Sequence, residues 1–164
     1  MKKLFIVLAL VLFAAVTTVH AFYGAADPRT TDGAAYVTVS VYNNSGSDLD
    51  EGDVVVWQVG SATGDNDLYV TTTTTADTGL VAGVVMKDGI ATASVGDIIV
   101  YGLAQCDIES TPLGQVANGA LLCTAGTVGD GEPCIVSDNS QAYAIANAAI
   151  AAGAQGSCFV LKNK

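Results

Sequence analysis

The chain has 164 residues, with 16 acidic and 6 basic side chains and a formal net charge of −10. That length fits a single domain with a real core, and the acidic balance excludes nucleic-acid phosphates and anionic lipid as natural partners. The single histidine is His20; if the segment holding it is removed, no Ser-His-Asp triad, Cys-His pair or histidine-ligated metal can be built.

Residues 1–21 read as a secretory signal peptide. Lys2 and Lys3 form a positive start, Leu4 to Val16 is an unbroken apolar run, and Val19-His20-Ala21 supplies the small residues a signal peptidase needs. The run is short for a membrane anchor, which takes about 20 residues. Cleavage would leave Arg29, Lys87, Lys162 and Lys164 against all sixteen acids. The expectation is a secreted or cell-surface protein with no membrane contact after cleavage.

Residues 22–35 are rich in Gly, Asp and Thr, with Pro28. They read as an extended arm, and the body of the protein is expected at 36–164. From Tyr36 the chain alternates. Val37, Val39 and Val41 point one way, as in a half-buried strand, which Asn43-Asn44-Ser45-Gly46 turns. Asp53 to Val59 is β-branched throughout its centre and predicts a strand buried on both faces. Leu68 to Thr75, with five consecutive threonines, predicts another.

Leu80–Met86 and Ile90–Val95 flank Lys87-Asp88-Gly89 and predict a hairpin. Asp97–Leu103 continues as strand, followed by Leu121–Thr124, Cys134–Ser137, Ala142–Asn147 and Ser157–Leu161. The alanine-rich stretch to Ala152 leaves room for a loop or one short helix. Long helical periodicity is otherwise absent. The fold class expected is all-β, a small antiparallel β-barrel or β-sandwich. Gly52-Asp53 and Gly96-Asp97 open similar turn–strand units of the form G-D-φ-φ-V-aromatic.

Four cysteines, Cys106, Cys123, Cys134 and Cys158, lie in the C-terminal part. An even count in an exported chain predicts two disulfides. Asp130-Gly131 is a turn signal between Cys123 and Cys134, which favours that pair and leaves Cys106 to Cys158. No C-x2-C spacing exists to hold zinc.

The order of small motifs carries a resemblance. Asn43-x-Ser45-Gly46, Gly52-Asp53-Val54-Val55, Val81-Ala82-Gly83-Val84-Val85 and Gly96-Asp97 with Tyr101-Gly102 come first. Gly119-Ala120-Leu121-Leu122, Ala144-Ile145-Ala146 and Gly156 with Val160 follow. Over most of residues 36–162 this resembles phage capsid decoration and stabilisation proteins of the lambda head-decoration-like group. The resemblance implies a small barrel or tulip that binds neighbouring subunits on an assembly, with no catalytic residues to carry over. A secretion signal and disulfides depart from a virion protein assembled in cytoplasm.

Other motifs have simpler readings. Asp77-Thr78-Gly79 matches the aspartic-protease triplet, but that chemistry needs two carboxylates sharing a proton and the chain holds no second copy. A loop is the better reading, and no enzyme is predicted. Asp48, Asp50 and Asp53, with Asp65 and Asp67, offer closely spaced oxygens and are the candidate calcium ligands, although neither run has the EF-hand glutamate. Calcium is thus the one cofactor considered. Asn43-Asn44-Ser45 is a glycosylation sequon, and Trp57 is expected in the core.

The leading functional expectation is an exported structural subunit that self-assembles into a filament, sheath or coat. Phe22, Tyr23 and Tyr36 would anchor an arm added to a neighbour's sheet. The alternatives are a secreted carbohydrate- or calcium-binding module and a capsid decoration protein of a virion.

Overall fold

The computed structural model describes residues 36–58, 68–110, 115–134 and 141–161. The leader, the arm with Phe22 and Tyr23, and the acids Asp65 and Asp67 lie outside the described residues. Tyr36–Lys164 forms one compact unit.

Among the described residues nine strands make the fold: β1 (Tyr36–Asn43), β2 (Val54–Trp57), β3 (Tyr69–Thr71), β4 (Val81–Val85), β5 (Val95–Asp107), β6 (Leu121–Thr124), β7 (Gly131–Pro133), β8 (Ala144–Ala146) and β9 (Gln155–Val160). Their order in the sheet is β1-β3-β2-β4-β5-β9-β8-β6-β7, and β1 also pairs with β5. That extra pairing closes β1, β3, β2, β4 and the first half of β5 into a five-stranded barrel. All ladders are antiparallel except β1 with β3, where Tyr42 meets Tyr69 in parallel register and the two rings pack edge to face at 5.0 Å. The all-β barrel expected from the pattern is therefore present, with one parallel pair in it.

β5 is the spine. Its first half pairs with β1 and β4; its second half, Gly102–Asp107, pairs with β9. β8, β6 and β7 continue from β9, and a parallel bridge between Ile108 and Gly131 brings β7 back against the end of β5. Two cores result. Val41, Val55, Val70, Val85 and Ile98 fill the barrel. Val54, Val56, Val84 and Ile99, on the opposite faces of β2, β4 and β5, pack against Cys106, Leu122, Tyr143 and Val160. β2 and β4 are thus covered on both sides, which is why the Val54–Val56 run carries no polar alternation.

Several boundaries differ from the sequence expectation, each for a local reason. The register of β1 against β5 shifts between Val37 and Thr38. This bulge turns Val37 outward, while Val41 stays buried. The threonine strand ends at Thr71: β3 pairs with Tyr42 and Asn43 of β1 and with Val56 and Trp57 of β2, and among the described residues neither ladder continues past Thr71. Branched side chains favour extended backbone but cannot supply a missing ladder partner. Lys87-Asp88-Gly89 does turn the chain, with the Gly89 N–H donating to the Met86 carbonyl at 2.9 Å. The strands it joins do pair antiparallel, but through a wider loop than expected, with Val84 opposite Ile99 and Val85 opposite Ile98. Ile90 forms a two-way bridge with Leu49, and residues 91–94 turn again before β5 starts at Val95.

Of the expected Cys134–Ser137 strand, residues 135–137 lie outside the described residues, and a strand not expected from the sequence, β7, runs just before it over Gly131–Pro133. The tight turn falls at Val128-Gly129, so Gly131 already belongs to the returning strand. Ala142–Asn147 narrows to β8, and the alanine-rich remainder is loop with one bridge from Ile150 to Val116. The Gly-Asp echo is half real. Gly52 has a positive φ of 97°, and the Asp53 carboxylate accepts the Asp50 N–H at 2.9 Å. Gly96 instead sits within β5, and Asp97 accepts a hydrogen bond from Ser40 on the neighbouring strand at 2.5 Å. Among the described residues no helix is long and apolar enough to cross a membrane.

Candidate functional site

The β1–β2 loop is organised by Asn43, which is fully buried. Its amide donates to the Ile90 carbonyl at 2.9 Å and to the Ser47 carbonyl at 2.8 Å. Its side-chain oxygen accepts from the N–H and the hydroxyl of Ser45 at 2.9 and 2.7 Å. The Asn-x-Ser pattern is here an Asx turn, and the amide of the sequon is spent inside the protein. Asp48 accepts the Thr92 N–H at 2.7 Å, so it also closes a loop.

The acidic residues that converge in space are not the ones adjacent in sequence. Asp53 before β2, Asp107 at the end of β5 and Asp130 before β7 meet where the barrel joins the second half. The Val54 N–H donates to the Gly129 carbonyl at 2.7 Å, and the Asp107 N–H donates to the Gly52 carbonyl at 3.2 Å. These bonds draw three turns together. Gly52 has no room for a side chain: a Cβ would stand 3.0 Å from the Asp107 carboxyl and 2.7 Å from the Gln155 amide.

Partial burial raises the pKa of all three carboxyls. Asp107 is pushed up to about 6, first by desolvation and then by the charge of Asp53, against a lowering hydrogen bond from Gln155. Asp53 is raised by desolvation, partly offset by the Asp50 N–H, and further by Asp50 and Asp130. Asp130 is raised by desolvation and by Glu109. Glu132 on β7 is likewise raised by burial and by Glu109 beside it. Glu109 is itself buried, and its carboxylate accepts the Thr127 hydroxyl at 2.7 Å.

Beneath this seam lies Tyr143, wholly buried in the larger core. Its hydroxyl has no hydrogen-bond partner among the described residues. Burial, with the nearby charges of Asp107 and Asp130, holds its phenol well above the ordinary range. The seam therefore brings like-charged carboxyls together beside an apolar core. Of the calcium candidates, Asp48 accepts the Thr92 N–H, while Asp50 and Asp53 share one turn in which the Asp53 carboxylate accepts the Asp50 N–H. Among the described residues no group of three or more acids, cysteines or histidines is arranged to hold a metal ion.

Two disulfides cross-link the second half. Cys106–Cys158 joins neighbouring strands β5 and β9, with Cα atoms 6.0 Å apart. Cys123–Cys134 joins β6 to the end of β7, with Cα atoms 5.0 Å apart. Both pairings match the expectation from turn chemistry. Asp77-Thr78-Gly79 lies in a turn held to β6: the Asp77 N–H donates to the Thr124 carbonyl at 3.0 Å, and the Thr78 N–H to the Thr124 hydroxyl at 2.9 Å. Trp57 is half-buried and packs against the barrel core with Val39 and Val100. Tyr36 is half-buried against the larger core, opposite Gly102.

The fold has a counterpart among solved structures. The chain is similar to the N-terminal base of the head fibre protein gp8.5 of bacteriophage phi29, with a TM-score of 0.53 and 16% sequence identity. The match covers 78% of this chain and 98% of that one. At that identity the likeness speaks for the fold alone. No family model and no curated protein matches the chain.

Proposed function

We propose that the chain is a structural subunit displayed on the outside of a virion head, of the capsid-decoration or head-fibre kind, and that it works by packing against other subunits. The observation that supports this reading is the near-complete coverage of the head fibre base by the fold of this chain. The site chemistry agrees with it. The converging carboxylates lack a nucleophile or metal-binding geometry among the described residues, whereas the two disulfides and the doubly covered strands suit a rigid module.

A second reading is favoured by those same disulfides together with the leader-like residues 1–21. Disulfides persist in oxidising surroundings, which a cytoplasmically assembled head does not meet until release. On this reading the same packing builds an exported filament, sheath or coat.

Density-gradient fractions of particles and of cell-surface material from the source culture, probed with an antibody to the chain, separate these outcomes. Co-migration with heads supports the first reading, and co-migration with filaments or envelopes supports the second. Recovery only as a free monomer would overturn both.

A further inference from the structure

The strand register places one apolar row on the outer surface of the second half. Leu103 on β5 stands opposite Phe159 on β9, Phe159 opposite Ile145 on β8, and Ile145 opposite Leu121 on β6. Directly paired residues project to the same face of a sheet. Their chain neighbours Ala104, Cys158, Ala144, Ala146 and Leu122 fill the core, so the row faces away from it. Tyr101 extends the row, its ring 5.2 Å from that of Phe159 and nearly perpendicular to it. Val37, opposite Tyr101, carries it onto β1.

None of these six residues is buried; Tyr101 is 45% and Val37 53% exposed. The row crosses five strands, or about 19 Å at the usual strand spacing. Water-facing strands normally carry polar residues on the outer side, and here the alternation fails on adjacent strands at the same level.

We infer that this row is a contact surface for a second copy of the chain. Charge selects that occupant. The chain carries a net −10, so two copies repel across most approaches. The row holds no charged side chain, and the next pair along β5 and β9 is Gln105 with Ser157, also uncharged. A cationic partner would gain nothing from this face and would be drawn to the acidic turns instead. A like-charged copy loses least here and buries its own matching row. Twofold apposition satisfies both copies with one set of residues.

The patch is small. Six side chains on each partner bury on the order of 1,000 Å² or less, the range of weak contacts. Such a contact becomes effective when copies are held side by side on a common surface. The inference deepens the assembly reading, yet it can fail alone: a chain that still sits on particles but does not use this row would contradict only the inference.

The test pairs hydrodynamics with crosslinking on the full chain. Sedimentation velocity over a hundredfold concentration range should show self-association that weakens at least tenfold in Tyr101→Lys and in Val37→Lys, while far-UV circular dichroism and the urea midpoint stay unchanged. Raising salt should strengthen the wild-type contact, since it screens the acidic surfaces and spares the apolar row. A photo-crosslinking phenylalanine analogue at position 101, in mixed isotope-labelled and unlabelled chains, should join two copies at Phe159, Leu103 or Ile145. Association unaffected by both lysine variants would overturn the inference. So would crosslinks that fall only on residues 22–35 of the same chain, which would make the arm the occupant, or a chain monomeric at every concentration.

Discussion

The backbone of Gly131 and the phenol of Tyr143 meet so closely that a Cβ on Gly131 would collide with the tyrosine hydroxyl. β7 can lie over the larger core only because residue 131 has no side chain. The same contact leaves the hydroxyl enclosed, close to Asp107 and Asp130 and without a hydrogen-bond partner among the described residues.

Gly131→Ala should therefore destabilise the protein by roughly 1–3 kcal/mol, the cost of forcing atoms into a packed core. Tyr143→Phe removes an unpaired buried hydroxyl and should be neutral or stabilising by about 1 kcal/mol. In the double variant the alanine should cost less than it does alone. Urea unfolding of the four proteins measures that coupling directly; strict additivity would show that the two groups do not touch.

The acidic seam makes stability depend on pH in a direction unusual for carboxylates. The Asp107 pKa is about 6 in the fold, above its ordinary value of 3.8. The folded state thus holds the proton more tightly than the unfolded chain. Its stabilising contribution is complete below about pH 4 and is lost as pH rises through about 6. Asp53 and Asp130 shift in the same direction. Thermal melts should show higher stability at pH 4.5 than at pH 7.5, and Asp107→Asn should flatten that dependence.

Reduction of the disulfides should lower stability markedly. They close loops of 52 and 11 residues. Chain-entropy reasoning assigns about 3–4 kcal/mol to each, more for the longer loop. Removing Cys106–Cys158 should cost more than removing Cys123–Cys134, also because both of its cysteines are wholly buried. Urea midpoints of the two double-alanine variants check the order.

Asn43→Ala should cost about 1–3 kcal/mol, since it removes the amide bonds to the Ile90 and Ser47 carbonyls and frees the Ser45 turn, while the Ile90 carbonyl keeps the Leu49 N–H. Asn43→Asp should recover only part of the loss: it keeps the acceptor for Ser45 and loses the donors to Ile90 and Ser47. Mass spectrometry of chain made in a glycosylating host should find Asn43 bare once folding is complete, because its amide nitrogen is already engaged.

Much of this architecture was legible in the residues. The Val54–Val56 run announced a strand covered on both faces, Leu121–Thr124 was placed to the residue, and the cysteine pairing followed from the turn between Cys123 and Cys134. What escaped depended on contacts distant in sequence. Thr72–Thr75 has strand chemistry but no ladder partner among the described residues, and Ile90 leaves its expected pairing for Leu49. Grouping acids by sequence proximity pointed to Asp48, Asp50 and Asp53; the fold takes Asp53 to Asp107 and Asp130. The seam had one readable signal, the glycines at 52, 129 and 131, which mark where backbones come too close for side chains. The outer row had none, since Leu103, Phe159, Ile145 and Leu121 align only once the register is known.

Cryo-electron microscopy of purified particles from the source culture tests the central claim most directly. The account predicts a two-part β unit on the outer surface of the head, its second half fitted by the disulfide-linked strands, with copies in contact through their Tyr101–Phe159 faces. Particles that lack this density while the chain accumulates as a free monomer would contradict it.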